Sequence, residues 1–154
     1  MDLSDLLGPE DILPSIRTSS KRQLLQDLAE KAEVKTGMAA RQIFDTLLQR
    51  ERLGSTGVGN GIAIPHGKLP GLKHITGLFA RLDKPIDFEA LDDQPVDLVF
   101  LLLAPEGAGA DHLKALARIA RVMREPEKVK KLRETSNANA IYSLLTESPA
   151  SNAA

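Results

Sequence analysis

Apolar positions fall into three textures along the chain. From Ser20 to Leu53 they recur at helical spacing: Leu24, Leu28 and Ala32, then Ile43, Phe44, Leu47 and Leu48. Ser20-x-x-Gln23 has the form of a capping box at the start of the first stripe, and Gly37 is placed to end it. The second stripe predicts a helix over about Ala39–Leu53, closed by Gly54. From Ile62 to Ala104 the pattern is extended. Ile62–Pro65 reads as a short strand-like piece, because a residue before proline avoids the helical region. A turn at Leu69-Pro70-Gly71 precedes expected strands at about His74–Leu82 and Val96–Ala104, with a shorter extended piece at Ile86–Phe88. The near-continuous apolar run from Val96 is what a strand covered on both faces requires. Helical spacing then returns. Leu113, Leu116, Ala117, Ala120 and Met123 form a stripe on a helix from about Asp111; Pro126 suits the first turn of the next, and a last helix covers about Ala138–Thr146.

Helices on both sides of a strand-rich middle imply a layered α/β fold. One domain over residues 3–146 is expected, followed by a small polar tail, 147–154, expected to be disordered.

Between the second helix and the first extended segment lies Gly54-Ser55-Thr56-Gly57-Val58-Gly59-Asn60-Gly61, whose glycine density argues against a regular element. Such loops suit phosphate, since backbone N–H groups can converge on its oxygens. Neither nucleotide motif is met. Gly57-x-Gly59 has Ile62 where the dinucleotide fingerprint needs glycine, and Gly67-Lys68 is followed by Leu69 rather than Ser or Thr. What the loop does lead to is His66. Neutral imidazole is a nucleophile near neutral pH, roughly three quarters of it being unprotonated at pH 7 for an ordinary pKa of about 6.5. The competing reading, a histidine that merely ends a strand beside a surface turn, stands about level with this one. His112 lies in the first turn of a predicted helix, where the dipole attracts anions and disfavours imidazolium, although alone it reads as a half-exposed surface group. His74 has no polar cluster around it and reads as structural. Arg50 and Arg52, at the end of the second helix, could serve as dipole partners or hold transferred oxygens with a guanidinium fork.

Composition narrows the classes. Twenty Lys and Arg face 21 Asp and Glu, and 3% of residues are aromatic, which disfavours nucleic acid as a partner. With no cysteine, disulfides, thiolate catalysis and Cys-bound zinc are excluded. The acidic start, Met1-Asp2-Leu3-Ser4-Asp5, does not read as a signal peptide, and no apolar run reaches the roughly 20 residues of a membrane helix. A cytoplasmic setting is expected.

Arg50-Glu51-Arg52-Leu53-Gly54-Ser55-Thr56-Gly57-Val58-Gly59-Asn60-Gly61-Ile62-Ala63-Ile64-Pro65-His66-Gly67-Lys68 closely resembles the active-site signature of the fructose/mannitol/nitrogen class of enzyme IIA of the phosphotransferase system. Gln94–Pro105 and Asp111–Leu116 are similar to that class's second signature, and the likeness extends from about Leu3 to Thr146. The wording of Gly59-Asn60-Gly61 and Pro85–Glu89, with the lack of cysteine and membrane span, points to the nitrogen-regulatory branch. A stand-alone component of a fructose- or mannitol-type sugar transporter is the other reading.

The resemblance implies a mixed, roughly five-stranded sheet flanked by helices on both faces. It implies a relay in which His66 takes a phosphoryl group from a histidine phosphocarrier protein of the nitrogen branch, on the ring nitrogen remote from the backbone. His112 and Arg50 would be its active-site neighbours. Gly54, Ser55, Thr56, Gly57, Gly59, Asn60 and Gly61 are expected to offer phosphate-binding groups. The phosphorylation state would govern downstream regulatory proteins concerned with nitrogen or potassium. No metal or cofactor is expected. Two rivals belong to other classes: an interaction module that is never phosphorylated, and a metal hydrolase built on His66, His74 and His112, for which no H-E-x-x-H motif exists.

Overall fold

The computed structural model describes residues 2–147; of the expected tail only Glu147 is among them. Eleven elements follow two short 3₁₀ turns at Leu3–Asp5 and Pro9–Asp11: β1 (Ile12–Ile16), α1 (Lys21–Thr36), α2 (Ala40–Arg52), β2 (Gly57–Gly59), β3 (Ile62–Ala63), β4 (His66–Leu69), β5 (Thr76–Ile86), β6 (Val96–Pro105), α3 (Ala110–Val122), α4 (Pro126–Glu134) and α5 (Ala138–Thr146).

Six strands make one mixed sheet in the order β1-β5-β6-β3-β2, with β4 also on β6. The central strand is β6. β5 runs antiparallel to it on one side, while β3 and β4 lie in succession and parallel to it on the other. Its side chains alternate between two cores, as the two-residue period of a strand dictates. Val99, Leu101 and Leu103 meet α1 and α2 on one face; Leu98, Phe100 and Leu102 meet the amino-terminal turns and α3 to α5 on the other. The apolar run from Val96 thus has the two-sided burial its composition demands.

Three readings change in detail. β1, which pairs parallel with β5, makes the sixth strand; it was not anticipated, because Pro14 interrupts its pattern and proline is tolerated in a sheet chiefly on an edge such as this. The glycine-rich segment is not wholly loop. β2 and β3 form an antiparallel hairpin turned by Asn60 (φ 57°) and Gly61 (φ 79°), the left-handed pair that two-residue hairpin turns require. Finally, α3 is rotated by one position from the stripe beginning at Leu113. It buries His112, Ala115, Ile119 and Val122, leaving Leu113 66% exposed. Small residues on both flanks let either stripe pass for the core face.

Two terminations follow the sequence closely. The Ser20 hydroxyl accepts from the Gln23 amide at 3.1 Å, although the Gln23 side chain donates to Asp27 instead of completing a reciprocal box. Gly37 ends α1 at φ 76°.

Candidate functional site

His66 begins β4, and its position is set by pairing with Leu102 of β6. The preceding Pro65 cannot donate to a ladder, but its carbonyl accepts from the Leu102 amide at 3.0 Å, which carries the register across the break between β3 and β4. One residue on, Gly67 faces α2 so closely that a Cβ there would stand 2.7 Å from the Thr46 methyl. The missing side chain lets α2 lie against β4. Four residues beyond Thr46, one helical turn, is Arg50.

The half-buried His66 ring is held at both nitrogens. Nδ1 lies 2.9 Å from the Ile64 carbonyl oxygen. A carbonyl can only accept, so Nδ1 carries the proton and Nε2 keeps its lone pair. Arg50 donates from Nε towards Nε2 at 3.3 Å and from its Nη1 to the Gly54 carbonyl at 2.9 Å. Its remaining Nη2 makes no bond among the described residues. The His112 ring is tilted 48° to that of His66, with centroids 5.8 Å apart. His112 is buried, at 7% exposure, and its Nδ1 has no partner among the described residues. The one-position rotation of α3 is what turns this side chain inward.

Electrostatics favours neutral rings. Burial pushes His66 below its ordinary range; the Ile64 carbonyl opposes this, Arg50 reinforces it, and Glu51 opposes it. Burial also lowers His112, assisted by His66 and then Lys68. The unfolded chain therefore binds protons near pH 6.5 that the folded protein refuses. Stability from these two groups is intact above about pH 6.5 and falls as the pH drops through their lower folded values. NMR titration of the ring Cε1–H signals should give both midpoints below about 6.5, with the melting temperature declining over the same interval. A midpoint at or above that value for either ring contradicts the arrangement.

The seven loop residues expected to bind phosphate divide in two. Gly59, Asn60 and Gly61 belong to the hairpin turn. β3 meets β6 at Leu98, four residues before the Leu102 level of His66, or about 13 Å at strand spacing. The Asn60 amide donates to Asp92, and its carbonyl takes Arg133. These three are not brought to His66. Nearer the ring, Thr56 is also committed, for both its amide and its hydroxyl donate to Glu51, the amide at 3.0 Å. The Ser55 hydroxyl donates to the Phe88 carbonyl and accepts from the Gly57 amide, each at 3.0 Å. The Gly54 amide donates to the Glu51 carbonyl. Only the Ser55 amide lacks an acceptor in this stretch among the described residues. Preformed phosphate donors are therefore fewer than glycine density suggests.

Arg52 is exposed at the end of α2, and His74 is exposed in the loop before β5. No group of three His, Asp or Glu among the described residues is arranged to hold a metal ion.

Sequence reasoning missed Glu51. It is 7% exposed and paired with Lys21 Nζ at 3.0 Å. A signal existed, since Glu51 continues the Ile43, Phe44 and Leu47 stripe by one turn and so points inward.

Residues 5–148 match the family model described as "Phosphoenolpyruvate-dependent sugar phosphotransferase system, EIIA 2". The chain is similar to a nitrogen regulatory protein of Bradyrhizobium diazoefficiens, 63% identical over 153 residues, covering 99% of this chain and 100% of that one. It is also similar to a nitrogen regulatory protein of Pseudomonas aeruginosa, 40% identical over 146 residues, covering 94% and 95% respectively. Among solved structures, the nitrogen regulatory protein IIA-Ntr from Neisseria meningitidis superposes with a TM-score of 0.89 at 35% identity, over 94% of this chain and 99% of that one. The mannitol IIA of Escherichia coli shares the fold, with a TM-score of 0.76 at 22% identity over 91% of this chain and 99% of that one.

Proposed function

Because the chain belongs to the EIIA 2 family of the phosphotransferase system, on its nitrogen-regulatory branch, we propose that it takes a phosphoryl group on His66 Nε2 from a phosphohistidine carrier protein. The observation that carries this reading is the double hold on one half-buried ring: proton on Nδ1 facing Ile64, lone pair on Nε2 beside a guanidinium.

Nε2 attacks phosphorus, and a new N–P bond forms as the donor's N–P bond breaks. The donor imidazole leaves with that electron pair. The His66 ring becomes cationic, and its Nδ1–H stays on the Ile64 carbonyl, which shares the charge. Transfer of this kind asks for in-line positioning and for stabilisation of the equatorial oxygens. Arg50 offers the nearest cation. His112, whose ring centroid lies 5.8 Å from that of His66, and the Ser55 amide offer further donors.

A protein donor needs a surface to sit on. Among the described residues the large exposed apolar side chains are Val34, Leu53, Val58, Leu91 and Leu113. Two of these neighbour residues of the site: Leu53 follows the helix of Arg50, and Leu113 is next to His112. Val58 in β2 and Leu91, whose amide donates to the Gly57 carbonyl, lie along the segment that leads towards it. An apolar rim around polar chemistry suits a transient protein interface. Phosphorylation would add about −1.5 to −2 charges within this rim and so alter which regulatory proteins dock there, in a cytoplasmic setting.

Incubation with a phosphorylated histidine carrier should add one acid-labile phosphoryl group, which fragment mass spectrometry assigns to His66. No uptake from a donor that phosphorylates a known acceptor would leave the interaction module standing instead.

A further inference from the structure

We propose that Glu51 is a positioning residue: through Thr56 it fixes the carbonyl that holds the His66 proton on Nδ1, and so decides which ring nitrogen faces the donor. The inference rests on the phosphoryl-acceptor reading of His66.

The connection runs through four groups. The Glu51 carboxylate accepts both the amide and the hydroxyl of Thr56. The Thr56 carbonyl accepts from the Ile64 amide at 3.0 Å. The Ile64 carbonyl, on the next peptide, takes Nδ1–H of His66. Thr56 is itself buried, so its two donors require an acceptor inside the protein, and among the described residues only Glu51 supplies one. Glu51 is in turn held by Lys21, whose ammonium lies 3.0 Å from one carboxylate oxygen and 4.6 Å from the centre of the buried Phe88 ring. The Phe88 carbonyl accepts from Ser55, which ties the loop from a second side. The start of α1, the end of α2 and the loop at 88–91 thus meet behind the segment that frames the site.

A carboxylate buried beside a phosphoryl acceptor would be repulsive if it faced the incoming oxygens. Here its oxygens are turned towards Thr56 and Lys21; its charge is the smallest of the four influences on the His66 pKa, and its hold on the ring's orientation runs through the backbone. Histidines that must present one nitrogen are commonly fixed by a partner on the other, and loss of the group that orients such a ring costs about 10–100-fold in function at metal sites.

Two variants test this. Glu51→Gln removes the charge but leaves the half-buried Lys21 with only the exposed Glu89, 3.6 Å away, so it risks disturbing the fold. Thr56→Val, nearly isosteric, removes only the hydroxyl, while Thr56→Ser restores it. ¹⁵N-resolved NMR of the His66 ring reports the tautomer, and a carrier assay reports the transfer rate. The expected result is a single Nδ1–H tautomer in the native protein, a mixture in Thr56→Val and in Glu51→Gln if folded, transfer slowed about tenfold or more, and a native-like Thr56→Ser. An unchanged tautomer in folded Thr56→Val overturns the proposal, whether or not transfer slows. Should the native protein accept no phosphate, the acceptor reading falls, and the tautomer measurement still decides the role of Glu51.

Discussion

A His66→Ala variant is expected to fold, to bind the carrier and to accept no phosphate. The ring is half-buried and sits at the start of an edge-side strand whose register depends on backbone pairing with Leu102 and Leu103, none of which involves the imidazole. Its removal takes one hydrogen bond each from the Ile64 carbonyl and Arg50 Nε, so the stability cost should stay within about 1–2 kcal/mol. The chemical cost is of another order, because no other nucleophile occupies the position. His112 is more deeply buried, and its ring centroid is 5.8 Å away. Loss of a covalent nucleophile leaves only the background reaction. Transfer of labelled phosphoryl groups from the carrier should fall below detection while melting temperature stays near native. Labelling of His66→Ala at a rate near that of the native protein would transfer the acceptor role elsewhere. His112→Ala provides the comparison: slower labelling is expected, with the phosphoryl group still on His66.

How much of this was legible in the sequence depends on whether a residue's environment is local. The central strand was readable because nine residues from Val96 to Ala104 carry the demand for two-sided burial within themselves. Stripes on α1 and α2 were readable for the same reason, as was Gly37, whose left-handed conformation only glycine takes easily. The face of α3 was not. Ala115 and Ala117, or Leu113 and Ile119, are interchangeable in a periodic pattern until the sheet selects one side. The hairpin of β2 and β3 was hidden because four glycines suggested irregular chain, whereas two of them, Gly57 and Gly59, pair across to Ala63 and Ile62. In the site, glycine density promised a continuous row of phosphate donors. Hydrogen bonding to Glu51, Asp92 and Ser55 consumes most of that row, and such partners are set by tertiary contact rather than by spacing.

Arg50→Ala should produce the second large effect, a fall of about 10²–10³-fold in the rate of transfer to His66, by analogy with removal of one preorganised oxyanion donor. The guanidinium has two distinct consequences for the reaction, and they oppose each other. In the resting protein its Nε–H points at the very lone pair that must attack, at 3.3 Å, so the arginine has to exchange that contact for a phosphoryl oxygen as the donor arrives. Deleting it would expose the nucleophile. It would also let the His66 pKa rise, since the nearby cation helps to hold it down, and so lower the neutral fraction near pH 6.5. Against exposure of the nucleophile, and on the same side as the lost neutral fraction, stands the charge on three oxygens in the transition state, which only a neighbouring cation or strong donor can meet. A fork anchored to the Gly54 carbonyl at 2.9 Å is already oriented for that task. The transition-state term should dominate, because it acts where charge is greatest and water is partly excluded. Arg50→Lys keeps the charge but not the anchored fork, and so should recover only part of the rate. Raising the pH to 8 removes the protonation part of the defect and leaves the larger part in place. If Arg50→Ala instead transfers within about threefold of native at that pH, the arginine serves the resting ring alone, and stabilisation of the oxygens must be sought in His112 and the Ser55 amide.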